Sequence, residues 1–533
     1  MQKNLNIIAK GATFMLAGYV ISKLLAYVYR VIIARYLGPS DFGILSIGLA
    51  VQGIIIVLAA LGLYQGVLHF IAVYESTGDG GTKKIRGTIL GSLRLQAIVS
   101  LPFAAALFLA SDHIANGFTV PFLGIFVGYK IPQLGIILKI LAFSIPLEVL
   151  TSNLMIITQS FRKVEYRVLL RSIVENIVKI ALTGSLLLLG FGLFGASIAL
   201  VLSCLIAFLA GLYIVQKKVY KLFAGGKEAI AAYNMRELFS YSWPLFAIGF
   251  FGVLMRVIDT LMLGYMSTTY NTGIYNVAAP TANMLTIAEN AFGTLFLPVV
   301  TGLYAVKNMH ELKRTYKTVT RWIFAAIFPA TLFTVLFSGE ILGIMFGEVY
   351  TEGAGALAIL SIGYFLVSFC GPVRNMMESI SKTRLILYNT LAAAFINIAL
   401  NAIMIPIMGM NGAALATTIS LFIWNVLAWI EVYYYLRVHP YSKAYLNPTI
   451  ASCAAIAVFF VIKQFLPPLQ SLRFPLDMAA LIILGAAFVG FYALLFIVFR
   501  GLQPEDLAVL SAVEKRLGFK ANFARNFIKR FSG

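Results

Sequence analysis

The chain has 533 residues, of which 60% are hydrophobic and only 12% are charged, and its mean hydropathy is +0.90. An ordinary soluble domain is about a quarter charged, and a soluble chain this apolar could not cover its own surface with polar groups. The composition therefore excludes a soluble globular protein and predicts an integral membrane protein. The 41 Lys and Arg residues outnumber the 21 Asp and Glu residues, and in a membrane protein such an excess reports on topology.

A helix needs about 20 mostly apolar residues to cross the hydrocarbon core of a bilayer. The sequence contains a series of such stretches, separated by more polar connections. In chain order they are 11–34, 43–72, 88–110, 138–158, 168–190, 193–215, 239–264, 274–303, 321–338, 354–378, 385–407, 411–436, 447–466 and 477–499. The sequence thus predicts an all-α integral membrane protein with about 14 transmembrane helices.

The distribution of basic residues predicts how these spans are oriented. Lys and Arg concentrate in the N-terminal segment, in every second connection and in the C-terminal tail, whereas the opposite connections have only Arg35, Lys130 and Arg473. Because cytoplasmic loops carry the excess of Lys and Arg, both termini are predicted to be cytoplasmic, in a plasma or inner cell membrane. Attraction to lipid headgroups accounts for the excess charge without a nucleic-acid partner.

The two halves of the chain resemble one another. The segment GLFGASIALVLS (192–203) matches GMNGAALATTIS (409–420), and the turn YLGPSDFGIL (36–45) matches YMSTTYNTGIY (265–275). Each half would contain six spans, an even number, so both halves would share one topology. The repeat predicts two six-helix lobes related by a pseudo-twofold axis along the membrane normal, as in two-lobed carriers.

These observations predict five segments. They are an N-lobe (1–215), a cytoplasmic linker (216–237), a C-lobe (238–437), a hairpin of two C-terminal helices (438–499) and a basic tail (500–533). The tail alternates apolar and basic residues at helical spacing, so we expect it to form an amphipathic helix on the inner leaflet.

Several motifs resemble those of the polysaccharide flippases, the Wzx-type exporters of lipid-linked oligosaccharides. The resemblance is carried by LLAYVYRVIIARYLGPSDFGILSIGLAV, ILKILAFSIPLEVLTSNLMIITQSFRKVEYRV, TGIYNVAA and MGMNGAALATTIS. That family belongs to the superfamily that includes MATE drug exporters and lipid II flippases. The resemblance covers essentially the whole chain. It implies the fold and a cargo, an oligosaccharide on a polyprenyl phosphate or diphosphate that moves from the inner to the outer leaflet by alternating access.

Ionisable side chains inside the predicted spans are candidates for function, because each is costly in lipid. Six of them are taken as candidates, namely Lys23 and Arg30 on the first helix, Glu148 on the fourth, Arg256 and Asp259 on the seventh, and Glu289 on the eighth. One interpretation is a buried salt-bridge network that holds the lobes together.

The other interpretation is a water-filled, net cationic cavity between the lobes. In that cavity Lys23, Arg30 and Arg256 would bind the phosphate of the cargo, since Arg binds phosphate bidentately and Lys acts as a point charge. Asp259, Glu289 and Glu148 would then be the candidates for binding the coupling ion or for closing salt bridges.

Two further pairs lie near the predicted cytoplasmic ends of their helices. Glu175 and Lys179 are four residues apart on the fifth helix, and Arg374 and Glu378 are four apart on the tenth. Side chains at this spacing are neighbours on a helix surface, so both are predicted to be intrahelical ion pairs. They serve either as structural pairs or as a cytoplasmic gate.

The sequence leaves two other transport functions open and disfavours an enzyme. A MATE-type drug or cation antiporter would favour an acidic N-lobe cavity; the first helix has Lys23 and Arg30 and no carboxylate, but Glu148 and Glu175 keep this alternative open. A lipid II-type flippase carries cargo of the same chemical class and also stays open. A glycosyltransferase would need acidic residues in a sizeable external loop, where the 111–137 loop offers only Asp112, so no enzyme is predicted.

Cofactors and metals are not expected. The three cysteines and four histidines form no ligand spacing, and no phosphate-binding G-x-x-x-x-G-K motif occurs. The expected partners are the lipid-linked oligosaccharide, membrane lipids and a proton or sodium ion for coupling. A monomer with two lobes is expected to function alone.

Overall fold

The computed structural model describes residues 2–75, 81–119, 126–221, 235–465 and 476–503. Nearly all of these residues are helical, which confirms the predicted all-α membrane fold. The predicted amphipathic helix of the tail (504–533) and the middle of the predicted linker (222–234) lie outside the described residues.

The chain divides into two compact units, the first Lys10–Gly273 and the second made of residues 2–9 with the described residues from Ile274 onward. The first unit thus holds the predicted N-lobe from Lys10 onward and the predicted seventh span. The first nine helices are α1 Gln2–Ala60, α2 Leu63–Glu75, α3 Gly81–Asn116, α4 Pro132–Ala142, α5 Ser144–Ser160, α6 Val164–Val168, α7 Glu175–Leu188, α8 Gly192–Ile214 and α9 Met235–Met266. The division of the lobes at the linker stays a prediction.

The later helices follow with short breaks. They are α10 Thr269–Asn283, α11 Ile287–Ala305, α12 Met309–Leu336, α13 Ser338–Phe346, α14 Ala354–Phe369, α15 Val373–Ser379, α16 Thr383–Met408, α17 Met410–Leu436, α18 Leu446–Phe465 and α19 Leu476–Val498. Short 3-10 turns precede α11, α14 and α18, and π-helical turns lie at Leu169–Val174 and Val215–Val219.

Among the described residues, eleven helices are long and apolar enough to cross a membrane, or twelve when the bent pair α4 and α5 is one span. The count of twelve differs from the predicted fourteen spans in two places. Gly18–Glu75 counts as one candidate although its backbone breaks at Gly38. The continuous helical stretch from α6 to α7 is not a candidate because it carries Arg171, Glu175 and Lys179 within its apolar residues. The number fourteen stays a prediction.

The first predicted turn lies inside α1. Gly38 has φ +74°, a left-handed conformation that glycine adopts without steric cost, and Pro39 follows it. Glycine just after a helix and proline at the start of the next is the usual order at a helix break. The sequence therefore places the turn between the first two predicted spans at Gly38.

Two glycines in the first unit bring the two matching turns into backbone contact. A Cβ atom on Gly43 would overlap the carbonyl oxygen of Thr269, and a Cβ atom on Gly273 would overlap the carbonyl oxygen of Pro39. The four residues correspond pairwise in the repeat, Pro39 with Thr269 and Gly43 with Gly273. The contact is therefore reciprocal, and only residues without a side chain fit at its centre.

Buried polar side chains join helices inside the first unit. Gln52 of α1 donates a hydrogen bond to the hydroxyl of Ser144 on α5 (2.5 Å). The Asn153 amide of α5 donates to Ser92 (3.1 Å) and Gln96 (2.7 Å) of α3. In a membrane protein such bonds hold helices together where no hydrophobic force distinguishes helix from lipid, so α1, α3 and α5 form a fixed frame.

A short two-stranded ladder follows α3, with Phe118 opposite Val127 and Thr119 opposite Phe126. The sequence predicted only a loop there. The ladder is too short to change the all-helical architecture.

In the second unit the C-terminal hairpin packs on α12 and α13 through aromatic residues. Phe337, Phe459 and Phe488 are buried together. Lys463 of α18 pairs with Glu340 of α13 at 2.7 Å. The predicted additional hairpin is therefore attached to this unit by both apolar and ionic contacts.

Candidate functional site

A cluster of charged side chains lies in the first unit where α5 meets the π-helical turn before α7. Arg171 Nη1 donates to Glu148 Oε1 at 2.6 Å and to Glu175 Oε2 at 3.1 Å. The two carboxylate side chains are 15% and 13% exposed, whereas Arg171 is 46% exposed. The guanidinium is thus held by two nearly buried carboxylates while much of its surface stays accessible.

Side chains of α1, α8 and α2 also contribute to this Arg171 cluster. Lys179 of α7 lies over the ring of Tyr29 on α1, 4.7 Å from the centroid. The Cys204 thiol of α8 lies 3.7 Å from Glu148 Oε2 and donates to it. Tyr64 of α2 donates to the backbone carbonyl next to Glu148. The cluster therefore couples helices that are distant in sequence.

The π-helical turn positions Arg171. Its widened backbone follows an i→i−5 pattern, in which the N–H of Glu175 bonds to the carbonyl of Leu170. The buried Asn176 amide donates to the carbonyls of Arg171 (3.1 Å) and Ser172 (3.2 Å), which satisfies groups that a regular turn would have paired. Such single π turns are frequent at functional sites.

The predicted pair of Glu175 with Lys179 is wrong in its partner. Glu175 bonds to Arg171, one turn earlier, and Lys179 faces Tyr29 instead. The competing cation was Arg171, whose guanidinium offers more donors than an ammonium group. Arg171 itself was missed, although an ionisable residue within the span 168–190 was a sufficient signal.

The other predicted pair is confirmed. Arg374 Nε donates to Glu378 Oε1 at 3.1 Å on α15 in the second unit. Both side chains are partly accessible, 58% and 33%. An exposed pair of this kind contributes little stability, and its role as a gate stays a prediction.

The structure places the predicted cationic residues in the same unit. Lys23 and Arg30 lie half-buried on α1, and Arg256 lies exposed on α9. Arg30 and Arg256 are both close enough to Lys23 to act on its charge. Asp259 is buried on α9, one turn after Arg256. Three positive charges are therefore gathered in this unit.

Glu289 lies in the other unit, in the first turn of α11. The Ser368 hydroxyl of α14 donates to its Oε2 at 2.7 Å. Within the described part of the chain no basic side chain lies at ion-pair distance from it. This carboxyl group therefore differs from Glu148, which shares an arginine.

Comparisons with known proteins agree with this architecture. Residues 8–303 match the family described as polysaccharide biosynthesis protein, and residues 244–403 match the MatE family. An uncharacterized membrane protein of Methanocaldococcus jannaschii is 25% identical over 79% of this chain and 83% of its own length. A Shigella flexneri protein whose name assigns it provisionally to O-antigen transport is 23% identical over 77% of this chain and 94% of its own.

Among solved structures, the lipid II flippase MurJ in an inward closed conformation superimposes with a TM-score of 0.65 at 15% identity. The superposition covers 92% of this chain and 98% of MurJ. The fold is that of a multi-pass helical membrane protein. The family match extends over more than half of the sequence, and the chain belongs to the polysaccharide biosynthesis protein family.

Proposed function

We propose that this protein is a flippase that moves an oligosaccharide on a polyprenyl phosphate or diphosphate from the cytoplasmic to the outer leaflet of a cell membrane. The observation that carries this proposal is the gathering of Lys23, Arg30 and Arg256 in one unit of a polysaccharide biosynthesis family protein. A lipid-linked sugar has its negative charge at the phosphate that joins sugar and lipid. Basic side chains in a water-filled cavity match that charge.

The transport cycle follows from alternating access. Lys23, Arg30 and Arg256 attract the head group from the cytoplasmic side while the lipid tail stays in the bilayer. Rocking of the two lobes then exposes the head group outside. In this cycle the ion pairs that contain Glu175 and Arg374 open and close on the cytoplasmic side, where both termini lie, and one chain suffices.

A proton or sodium ion bound by Glu289, Glu148 or Asp259 biases the equilibrium between the two states. An ion can shift such an equilibrium only when it binds one state more tightly than the other. Glu289 suits this role because a carboxyl group without a basic partner gains more from a bound cation than one already paired.

Replacement of Glu289 by glutamine is expected to uncouple transport from the ion gradient. Glutamine keeps the hydrogen bond from Ser368 but can neither take up a proton nor balance a sodium ion. Flipping would be measured in proteoliposomes with and without imposed proton and sodium gradients. The wild type should respond to one of them and E289Q to neither, while E311Q, at an exposed site on α12, should respond as the wild type. A full response of E289Q would exclude it as the coupling residue.

The MATE-type alternative is tested by the choice of cargo. The MatE match covers residues 244–403, and a drug antiporter would move organic cations. Purified protein in proteoliposomes should flip a fluorescent polyprenyl-diphosphate oligosaccharide and should not export an organic cation such as ethidium. Export of the cation without flipping would replace the proposal by the antiporter function. Flipping of lipid II in preference to the oligosaccharide would assign the protein to cell-wall precursor transport.

A further inference from the structure

The bonding of Arg171 leaves part of its guanidinium unused. Both ion pairs leave from the same nitrogen, Nη1. In the described chain no acceptor is bonded to Nε or Nη2, and 46% of the side chain is accessible. The edge formed by Nε and Nη2 is the geometry that binds two oxygens of a phosphate group at once.

The two carboxylates fix that edge in place. Glu148 and Glu175 reach Arg171 from different helices, so the guanidinium plane cannot swing freely as an exposed arginine would. Positioning in advance removes the cost of ordering a long side chain on binding. Lys179, one turn from Glu175, adds a second positive charge to the cluster.

The same carboxylates repel an anion. With Glu148 and Glu175 ionised, their charges cancel those of Arg171 and Lys179, and the cluster offers a phosphate no net attraction. One proton on the pair restores a net positive charge. The titratable or charged groups that face Glu148 are Arg171, Glu175 and Lys179 from the α7 side, Cys204 from α8 and Tyr64 from α2.

We propose that Arg171 is a phosphate-binding residue, held through Nη1 by Glu148 and Glu175, and that a proton taken up by this carboxylate pair allows an anionic lipid head group to bind its Nε–Nη2 edge. The inference rests on the proposed function, since it names a further residue for the same cargo. It also places cargo and proton at one cluster, so that the two bind together.

The test is the pH dependence of binding to the purified full-length protein in detergent. The probe is geranylgeranyl diphosphate, and geranylgeraniol, which has no charge, is its control. Binding would be titrated calorimetrically at about pH 5.5, 7 and 8.5, of which the lowest approaches the ordinary titration range of a carboxyl group. The wild type should bind the diphosphate more tightly as the pH falls.

Four variants test the arginine and the carboxylate pair separately. R171A should lose roughly 10- to 100-fold in affinity, the range for charged hydrogen bonds, and R171K, which keeps the charge but not the bidentate edge, should lose most of it. E148Q and E175Q each mimic the carboxylate pair with one proton bound, so the affinity of at least one of them should be high and less dependent on pH than that of the wild type. Because the probe's own ionisation is common to all the proteins, the difference between the pH slopes of the wild type and these variants reports on the carboxylate pair.

The matched control is the exposed pair of Arg314 with Glu311 on α12, where R314K and E311Q should leave affinity and its pH dependence unchanged. Wild-type affinity in R171A at every pH would overturn the inference, as would pH slopes of E148Q and E175Q that both equal that of the wild type. If R171A flips cargo and binds the probe normally while K23A does neither, the inference fails and the proposed function stands. If the wild type binds geranylgeraniol as well as the diphosphate and flips no lipid-linked sugar, the proposed function fails.

Discussion

Alanine in place of Lys23 or of Arg30 is expected to abolish flipping of a polyprenyl-diphosphate oligosaccharide. Each side chain offers the head group a charged hydrogen bond of about 1.5–3 kcal/mol, which is about 10- to 100-fold in binding. Because Lys23 lies close to Arg30 and Arg256, loss of one charge weakens attraction for the whole head group. Transport should fall by at least the loss in binding.

The measurement compares wild type, K23A and R30A in proteoliposomes that carry the fluorescent lipid. K83A is the control, because Lys83 is an exposed lysine of the same unit at the start of α3. Expression and melting temperature should be unchanged in all four proteins. Transport that survives both substitutions would reduce the two charges to a structural role and would move the search for the cargo site to α9 and α11.

Substitution of Gly43 or of Gly273 by alanine should destabilise the protein by about 3 kcal/mol, the upper end of the usual cost of overpacking. In each case the new methyl group would overlap a backbone carbonyl, of Thr269 or of Pro39. A flexible side chain could rotate out of the way, but a carbonyl held in a helix cannot. Relief therefore requires the two turns to separate.

The control for these variants is Gly53→Ala on the same helix as Gly43. A Cβ atom on Gly53 meets nothing within 4 Å, and alanine favours a helix over glycine by about 1 kcal/mol. The melting temperature in detergent should thus fall sharply for G43A and G273A and stay level or rise for G53A. Equal melting temperatures for all three would contradict the close contact.

Much of the architecture followed from patterns that are local in sequence. Apolar stretches of the right length predicted the helices, and the Gly38–Pro39 dipeptide marked the first turn because its backbone preferences act within a few residues. The match between residues 36–45 and 265–275 predicted that the two turns correspond, and the structure shows them in reciprocal contact. The Arg374–Glu378 pair was predictable because its spacing of four fixes the geometry.

The Arg171 cluster was not predictable in the same way. Glu148 and Arg171 are 23 residues apart on helices whose rotation the sequence does not specify. The π-helical turn contains Arg171 and ends just before Glu175, so a wheel drawn at 3.6 residues per turn does not give the rotation of Arg171 relative to Glu175. Helix rotation and backbone irregularity are tertiary properties, and they determine that Glu175 pairs with Arg171.

The reciprocal contact of Gly43 and Gly273 also constrains how the sequence can change over time. One substitution that forces the turns apart removes the obstacle at the other position, so the second substitution should cost less than the first, a case of epistasis between repeat counterparts. We therefore expect selection against change at either glycine only while the other is present. The two codons therefore behave as one evolutionary unit, although 230 positions separate them in the chain.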